Sequence, residues 1–289
     1  DHYQVSFVIS TATQPAFRER HVGGQLFPGL KNIKEMMGND EEVAALYRSL
    51  KRYDVQLPAD LHTPSSWEEI AEQLQNYDQV LCVVSDRKSC RELHSMMPKG
   101  TFHLSALMCG QHRSEVIKLI KQRLKDKEPV RVISTQLVEA GVDLDFPVVY
   151  RAFAGLDSIA QAAGRCNREG KLPELGRVVV FVPPRPAPMG MLRKAAQTTA
   201  SIVVKDYEDP LSHELFTKYF EELYWKANSL DKEGICQLLD PQVNDPQECS
   251  IYFRTAAERF RLIDQSTHGI LIPYGVGRKY IEELKTVGP

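Results

Sequence analysis

The sequence predicts an α/β fold, in which a parallel sheet with covering helices is followed by a mainly helical segment. Apolar runs of strand length alternate with helix-like segments between residues 80 and 182, and this alternation is typical of βαβ units in a parallel sheet. A proline cluster at 183–188 ends the alternation. With 289 residues, 43% of them hydrophobic, the chain is long enough for one full domain and an accessory segment.

The individual elements follow from local signals. Ser66 and Glu69 form a capping box that opens the first helix of this region. The predicted helix at 113–124 carries an apolar stripe that includes Ile117 and Ile120. The predicted strands are 80–84, 102–104, 130–134, 148–151 and 178–182, and the predicted helices between them include 88–97 and 113–124.

The C-terminal part, from about residue 190 to 289, is predicted to be mainly helical. Aromatic side chains at this density could stack on nucleic acid bases. Because their spacing matches one helix stripe, we favour a role in the core. The residues of this stretch are Phe216, Tyr219, Phe220, Leu223, Tyr224 and Trp225.

A short helix is predicted over residues 158–169. Asp157 is a candidate N-cap and Gly170 a candidate stop at the C′ position. At about 100° per residue, one side of this helix would pack on the sheet. The packing side would consist of Ile159, Ala163 and Cys166.

The opposite side of the same helix would present Gln161, Gly164, Arg165 and Arg168. A pair of arginines three residues apart is usually a solvated helix face. Two guanidinium groups beside a glycine can also bind phosphate, because each guanidinium offers a planar fork of donors. We therefore treat Arg165 and Arg168 as candidate phosphate-sensing residues.

The strand at 130–134 runs directly into Thr135, Gln136, Gly141 and Asp143. A hydroxyl and free N–H groups at a strand end can hold a phosphate. The carboxylate of Asp143 can accept from a ribose hydroxyl or orient an arginine. Taken singly, Thr135 could merely cap a turn and Asp143 could merely solvate a loop.

A strand-like run at 5–9 precedes a third polar turn, Ser10-Thr11-Ala12-Thr13. The three segments resemble motifs VI, V and III of superfamily 2 helicases, with Thr11 in place of the serine of motif III. The resemblance implies a second RecA-like lobe. In it Arg165 and Arg168 would be arginine fingers.

The same resemblance assigns the remaining roles. Gln161, Gly141, Asp143 and Gly164 would bind nucleotide. The turn with Thr11 and Thr13 would couple the nucleotide site to the nucleic acid site. The residues implied to hold the DNA backbone are Thr135, Gln136, Arg113 and Ser85.

Three further segments refine the family. Residues 80–90 resemble motif IV and the helix that follows it. Residues 103–113 contain the pattern HLS-x-x-M-C-x-x-H-R, and residues 253–264 read FRTAAERFRLID. Both resemble the CRISPR-associated helicase-nuclease of type I systems, and the resemblance implies its I-C branch.

The sequence contains no G-x-x-x-x-G-K-[ST] phosphate loop. Asp40-Glu41-Glu42-Val43 imitates a D-E-x-x box, but it lies in a predicted helix. We therefore expect part of a longer helicase that is inactive alone. The expected organisation is the tail of the first lobe at 1–17, a connector at 18–76, the second lobe at 77–185 and an accessory segment at 186–289.

The resemblance implies that the intact protein joins an HD nuclease to a 3′ to 5′ translocase on single-stranded DNA. Its cofactors would be ATP and Mg²⁺, bound mainly by the first lobe, with divalent metals in the nuclease. Implied partners are single-stranded DNA, the crRNA-guided surveillance complex and the first RecA-like lobe. An anti-CRISPR inhibitor is a further candidate partner.

Composition sets limits on these expectations. The formal net charge of −2 argues against a bulk electrostatic grip on DNA, so binding would need a local basic surface. Six cysteines without C-x-x-C pairing indicate reduced thiols in a cytosol, with neither zinc nor a disulfide framework. No apolar run reaches membrane length.

Two alternatives stay open at this point. A DEAD-box or DEAH-type RNA helicase shares motifs V and VI, although the segments at 103–113 and 253–264 speak against it. A non-catalytic adaptor lobe would serve only as a docking platform. Dispensable Arg165 and Arg168 would favour the adaptor.

Overall fold

A computed structural model describes residues 6–11, 13, 15–22, 25–27, 29–30, 32–203, 209–227, 231, 233–240, 242–245, 248–261 and 270–287. The described residues form two compact units, divided between Leu223 and Tyr224. The parallel sheet lies in the first unit. The first two helices after the proline cluster also belong largely to that unit and not to a separate segment.

The first unit contains β1 (Arg20–Val22), β2 (Gln25–Phe27), α1 (Asp40–Ser49), β3 (Tyr53–Gln56), α2 (Trp67–Gln75), β4 (Gln79–Val83), α3 (Arg87–Met96), β5 (Phe102–Leu104), α4 (Gly110–Lys125), β6 (Val130–Ser134), β7 (Val148–Ala152), α5 (Leu156–Ala163), β8 (Gly176–Phe181), α6 (Met191–Val203) and most of α7 (His213–Lys226). A 3-10 turn, Gln136–Val138, follows β6. The second unit contains α8 (Ile235–Leu239), β9 (Gln242–Asp245), β10 (Glu248–Ser250), α9 (Phe253–Arg259) and α10 (Gly277–Val287).

The central sheet has six strands in the order β3-β8-β7-β4-β6-β5, and every neighbouring pair is parallel. The predicted α/β class is confirmed. The five predicted strands are all present, and each lies within two residues of its expected ends. Because all strands run the same way, the residues that follow them are brought to one edge of the sheet.

The edge strand β3 was missed by the sequence analysis, which assigned its residues to a connector. It is four residues long, reads Tyr-Asp-Val-Gln, and alternates half-buried and exposed side chains. Its backbone pairs with β8 from Tyr53 opposite Gly176 onward. A short, half-polar edge strand has no distinctive apolar run, so only its sheet neighbour reveals it.

One face of the sheet is covered by α2 and α3. The predicted capping box is present, since Ser66 Oγ accepts from the Glu69 N–H at 3.1 Å and Glu69 Oε2 accepts from the Ser66 N–H at 2.9 Å. This start directs the apolar side of α2 toward the sheet. The buried cluster between them includes Trp67, Ile70, Leu74, Val80, Cys82, Leu93, Ile133 and Tyr150.

The strand expected at 5–9 is not formed by the described residues of that range. Val5 lies outside the described part, and residues 6–9 have no strand partner. Phe7 is 85% exposed. An apolar run becomes a strand only where a neighbouring strand accepts its backbone groups.

The C-terminal prediction of a mainly helical segment is confirmed, with a small hairpin, β9 and β10, that the sequence analysis missed. Four residues of the aromatic stripe are buried in α7, namely Phe216, Tyr219, Phe220 and Leu223. Trp225 is 47% exposed. The first seven residues of the segment FRTAAERFRLID form α9, and residues 262–264 lie outside the described part.

Candidate functional site

Polar residues follow the carboxyl ends of the central strands. Ser85 follows β4, and its hydroxyl accepts from Arg151 Nη1 at 3.3 Å. Thr135 follows β6 and is 7% exposed, and its N–H donates to the carbonyl of Leu104 at 3.0 Å. Gln136 begins the 3-10 turn and is half-buried. The parallel topology therefore places three of the four candidate DNA contacts near one edge of the sheet.

The helix with the arginine pair differs from its prediction at both ends. Helix α5 begins at Leu156, with Gly155 as N-cap, and ends at Ala163, with Gly164 as C-cap. Asp157 lies inside the first turn, where its carboxylate accepts a hydrogen bond of 2.6 Å from the hydroxyl of Tyr219. The assignment of Asp157 as N-cap is therefore wrong.

Gly170 does not end the helix either. The chain leaves α5 at Gly164, and residues 165–167 pair with the backbone beside β7. Phe146 N–H donates to Arg165 O at 2.9 Å, and Asn167 N–H donates to Phe146 O at 2.9 Å. These two bonds compete with helical continuation, and Asn167 completes the turn with φ of 45°.

Arg165 does not lie on an open helix side as expected. Its side chain is buried, with 6% exposure. Nε donates to the carbonyl of Val138 at 2.7 Å, and Nη2 donates to the carbonyl of Glu139 at 2.5 Å. Burial lowers the pKa of Arg165, and the nearby charge of Arg168 lowers it further. Arg165 thus ties the end of α5 to the segment after β6.

Arg168 keeps its guanidinium at the surface and forms an ion pair with a predicted partner. Its Nη2 lies 2.9 Å from Asp143 Oδ1, with the two side chains 41% and 74% exposed. The backbone N–H of Arg168 donates to Asp145 Oδ1 at 2.7 Å. Asp145 was not singled out from sequence. Asp143 therefore orients an arginine, one of the two roles considered for it.

The other candidate residues occupy several elements. Gly141 has φ of 72°, and a Cβ there would meet nothing within 4 Å, so backbone conformation alone favours glycine. Gln161 is half-buried on α5, and Arg113 is half-buried near the start of α4. Thr13 is buried, and its N–H donates to Thr11 Oγ1 at 3.4 Å.

A buried ion pair was missed by the sequence analysis. Arg151, at the end of β7, is fully buried, and its Nη2 lies 3.1 Å from Glu139 Oε1. Burial raises the pKa of Glu139, while the charge of Arg151 lowers it. An arginine that ends an otherwise apolar strand, Val-Val-Tyr-Arg-Ala, is the signal that could have identified the pair.

Cys166 packs tightly against the start of β8. Its Sγ lies 3.4 Å from the carbonyl of Pro147 and 3.5 Å from that of Arg177. Burial raises the pKa of this thiol to about 12. A Cβ on Gly176 would lie 2.5 Å from Cys166 Sγ, so the glycine leaves room for the sulfur.

We expect Gly176→Ala to destabilise the sheet domain by about 1–3 kcal/mol, because the added methyl overpacks this contact. Cys166→Ala in the same chain should restore part of the loss, since it removes the sulfur while the 3.0 Å contact with Asn167 Cβ remains. Chemical denaturation of both single variants and the double variant measures the effect. Additive losses would contradict the proposed clash.

Within the described ranges, no group of three or more His, Cys, Asp or Glu side chains could hold a metal ion. Among the helices of that part, none is long and apolar enough to cross a bilayer.

Comparison with known proteins shows a family similarity for the part of the chain that contains this site. Residues 69–171 match the family model described as the C-terminal part of the CRISPR-associated nuclease/helicase Cas3. The CRISPR-associated nuclease/helicase Cas3 of Haloferax volcanii is 31% identical over 175 residues, which cover 50% of this chain and 18% of the relative. The protein of the same name from Methanothermobacter thermautotrophicus is 25% identical over 217 residues, covering 71% and 26%.

A crystal structure of T. fusca Cas3 aligns with 60% of this chain and 24% of its own, at 15% identity and a TM-score of 0.48. The chain thus spans about a fifth to a quarter of the curated relatives it matches. The matched residues 69–171 run from α2 through both arginines of the site. Within the parallel α/β domain, residues 69–171 are thus similar to the C-terminal part of the Cas3 family of CRISPR-associated nuclease/helicases.

Proposed function

We propose that this chain forms the second RecA-like lobe of an ATP-dependent helicase that translocates on single-stranded DNA and acts with an HD nuclease in CRISPR interference. The proposal rests on the contacts between the segment that follows β6 and the segment that follows α5. Arg165 binds the main chain after β6, and Arg168 pairs with Asp143 of the same segment. A nucleotide bound beside one segment would therefore be sensed by the other.

The exposed guanidinium of Arg168 suits an anionic phosphate. Bound ATP would supply the phosphoryl group whose transfer to water drives translocation. Arg165 and Arg168 would stabilise negative charge on that group, and Asp143 would hold the guanidinium of Arg168 in position. Gln161 and the glycines at 141 and 164 would border the nucleotide. In this proposal Mg²⁺ is bound mainly by the first lobe.

The DNA backbone would lie along the carboxyl edge of the sheet. Thr135 and Gln136 offer a hydroxyl, an amide and backbone N–H groups there, and Ser85 stands at the end of the neighbouring strand. Such groups contact phosphates and sugars rather than base edges. Arg113 on α4 would add local positive charge, which a chain of net charge −2 requires.

The other domains needed for this activity would lie elsewhere in the protein. The first lobe would bring the phosphate loop, and the HD domain would bring the divalent metals for cleavage, so this chain alone would not turn over ATP. The crRNA-guided surveillance complex would deliver the DNA, and an anti-CRISPR inhibitor could target the same lobe. Subtype I-C and the expected lobe limits at 77 and 185 belong to this proposal, as does the coupling role of Thr11 and Thr13.

The proposal is tested with a panel of nucleic acids. Steady-state ATP hydrolysis by the complete protein is measured with single-stranded DNA, single-stranded RNA of the same sequence, and no nucleic acid. We expect DNA to raise turnover by about tenfold or more and RNA to raise it little. Stimulation by RNA alone would favour an RNA helicase. Absence of turnover under all three conditions would favour the adaptor.

A further inference from the structure

A buried charge beneath the site has no part in the proposed function. Arg151 is fully buried at the end of β7. Its Nη1 donates to the carbonyl of Ala152 at 2.9 Å and to Ser85 Oγ at 3.3 Å. Its Nη2 faces Glu139 Oε1 at 3.1 Å. Because a buried ion pair often stabilises a fold no more than apolar side chains of the same volume would, its presence here calls for another explanation.

Glu139 faces three groups, one on β7, one on α5 and one in the segment that follows α5. Its main-chain carbonyl accepts from Arg165 Nη2 at 2.5 Å. Its carboxylate forms an ion pair with Arg151 through Oε1. The other oxygen, Oε2, accepts a hydrogen bond of 3.3 Å from the hydroxyl of Ser158. One residue thus connects the end of β7, the first turn of α5 and the guanidinium of Arg165.

The segment that holds Arg165 is a short turn rather than a regular helix or strand. The carbonyls that bind the guanidinium belong to Val138 and Glu139, at the end of a single 3-10 turn. Thr135, the N-cap residue before this turn, makes no side-chain cap bond to it. Gly141 follows with φ of 72°, a conformation open to glycine at little cost. Besides the fully buried side chain of Val138, the side chain of Glu139 is therefore the contact that fixes both carbonyls relative to the sheet and α5.

Arg151 anchors the carboxylate of Glu139 to the central sheet. It is part of a central strand paired on both sides, and its guanidinium also bonds Ser85 at the end of the adjacent strand β4. Ser158 fixes the other end, because it lies in the helix that leads directly to Arg165. Through these two contacts, Glu139 connects β7 of the sheet to α5.

We propose that Glu139 and Arg151 are positioning residues, which hold the two carbonyls in the place that orients the guanidinium of Arg165. This inference rests on the proposed function, in which Arg165 stabilises charge during ATP hydrolysis. A displacement of about 1 Å at a reacting group can cost about 100-fold in rate. Neither Glu139 nor Arg151 needs to touch the nucleotide to have such an effect.

The test is a double-mutant cycle in the complete protein, with Glu139→Gln, Arg165→Ala and the double variant. Steady-state ATP hydrolysis is measured with saturating single-stranded DNA. We expect Glu139→Gln to lower kcat by about 10- to 100-fold with little change in KM for ATP. In the double variant kcat should be no lower than in Arg165→Ala alone, because the misplaced group is already gone.

A merely structural role for Glu139 predicts a different cycle. The two losses would then multiply, and KM would change together with kcat. Multiplying losses, or a normal kcat in Glu139→Gln, would overturn the inference. If Arg165→Ala itself left turnover normal, the arginine assignment of the proposed function would fail and this inference with it. A loss in Arg165→Ala with normal Glu139→Gln would refute the positioning role alone.

A milder variant covers the case in which Glu139→Gln does not fold. Ser158→Ala removes one bond to the carboxylate and leaves the pair with Arg151 in place. We expect a fall in kcat of about 3- to 10-fold. The matched control is Thr217→Val, which removes a half-buried hydroxyl bonded within α7 to the carbonyl of His213. Equal turnover in Ser158→Ala and Thr217→Val would contradict the positioning role.

Discussion

Replacing Arg168 with alanine in the complete protein is expected to lower DNA-stimulated ATP turnover by about 10³-fold, which corresponds to about 4 kcal/mol of transition-state stabilisation. The reason is geometric and electrostatic. Arg168 carries the exposed guanidinium of the site, and Asp143 holds it from 2.9 Å. Without this guanidinium, the negative charge that develops on the transferred phosphoryl group would lose a hydrogen-bond donor that stabilises it. Steady-state hydrolysis with saturating single-stranded DNA measures the loss.

Two further variants show whether the planar fork matters. Arg168→Lys keeps the charge but not the fork, so it should restore only part of the activity. Arg123→Ala is the matched control, because Arg123 is 36% exposed and also faces a carboxylate, Glu128, at 3.7 Å. It lies on α4, near the far edge of the sheet. Near-normal turnover in Arg168→Ala, or an equal loss in the control, would contradict the assignment.

The fold was predictable where local and tertiary signals agree. The five predicted strands are apolar and mostly buried, and the capping box at Ser66 starts α2 as expected. The edge strand β3 was not predictable in this way, because it is short and half-polar. The apolar run at residues 6–9 shows the converse. Its composition suits a strand, but no neighbour pairs with it among the described residues.

The site was predictable in its residue types but not in their orientation. The spacing placed Arg165 and Arg168 together on a continuous helix, whereas the helix ends before both of them. The cause is long-range pairing of residues 165–167 with Phe146, about 20 positions earlier in the chain. Helical periodicity carries no information about such a competitor. The buried partner Glu139 was hidden for the same reason.

Because Arg165 is buried, its replacement with alanine is expected to lower the stability of the domain as well as ATP turnover. Sequence alone suggested that alanine at either arginine would spare the fold, because both side chains were placed opposite the packing side. Arg165 is instead buried and donates to the carbonyls of Val138 and Glu139. Removing the guanidinium leaves both acceptors without that donor, at a cost of about 1–3 kcal/mol for each buried group.

Arg165→Ala should therefore lower the melting temperature of the complete protein by about 5–10 °C as well as reducing turnover by about 10³-fold. Arg168→Ala is the control for the first effect, since it removes an exposed ion pair worth at most about 1 kcal/mol and should shift the melt by under about 4 °C. Thermal melts and ATP hydrolysis on the same preparations separate the two roles. Equal melts for the two variants would show that the buried contacts of Arg165 do not stabilise the domain. An unchanged turnover in Arg165→Ala at a temperature where the variant remains folded would limit this arginine to joining the two segments, and would leave Arg168 as the phosphate-sensing residue.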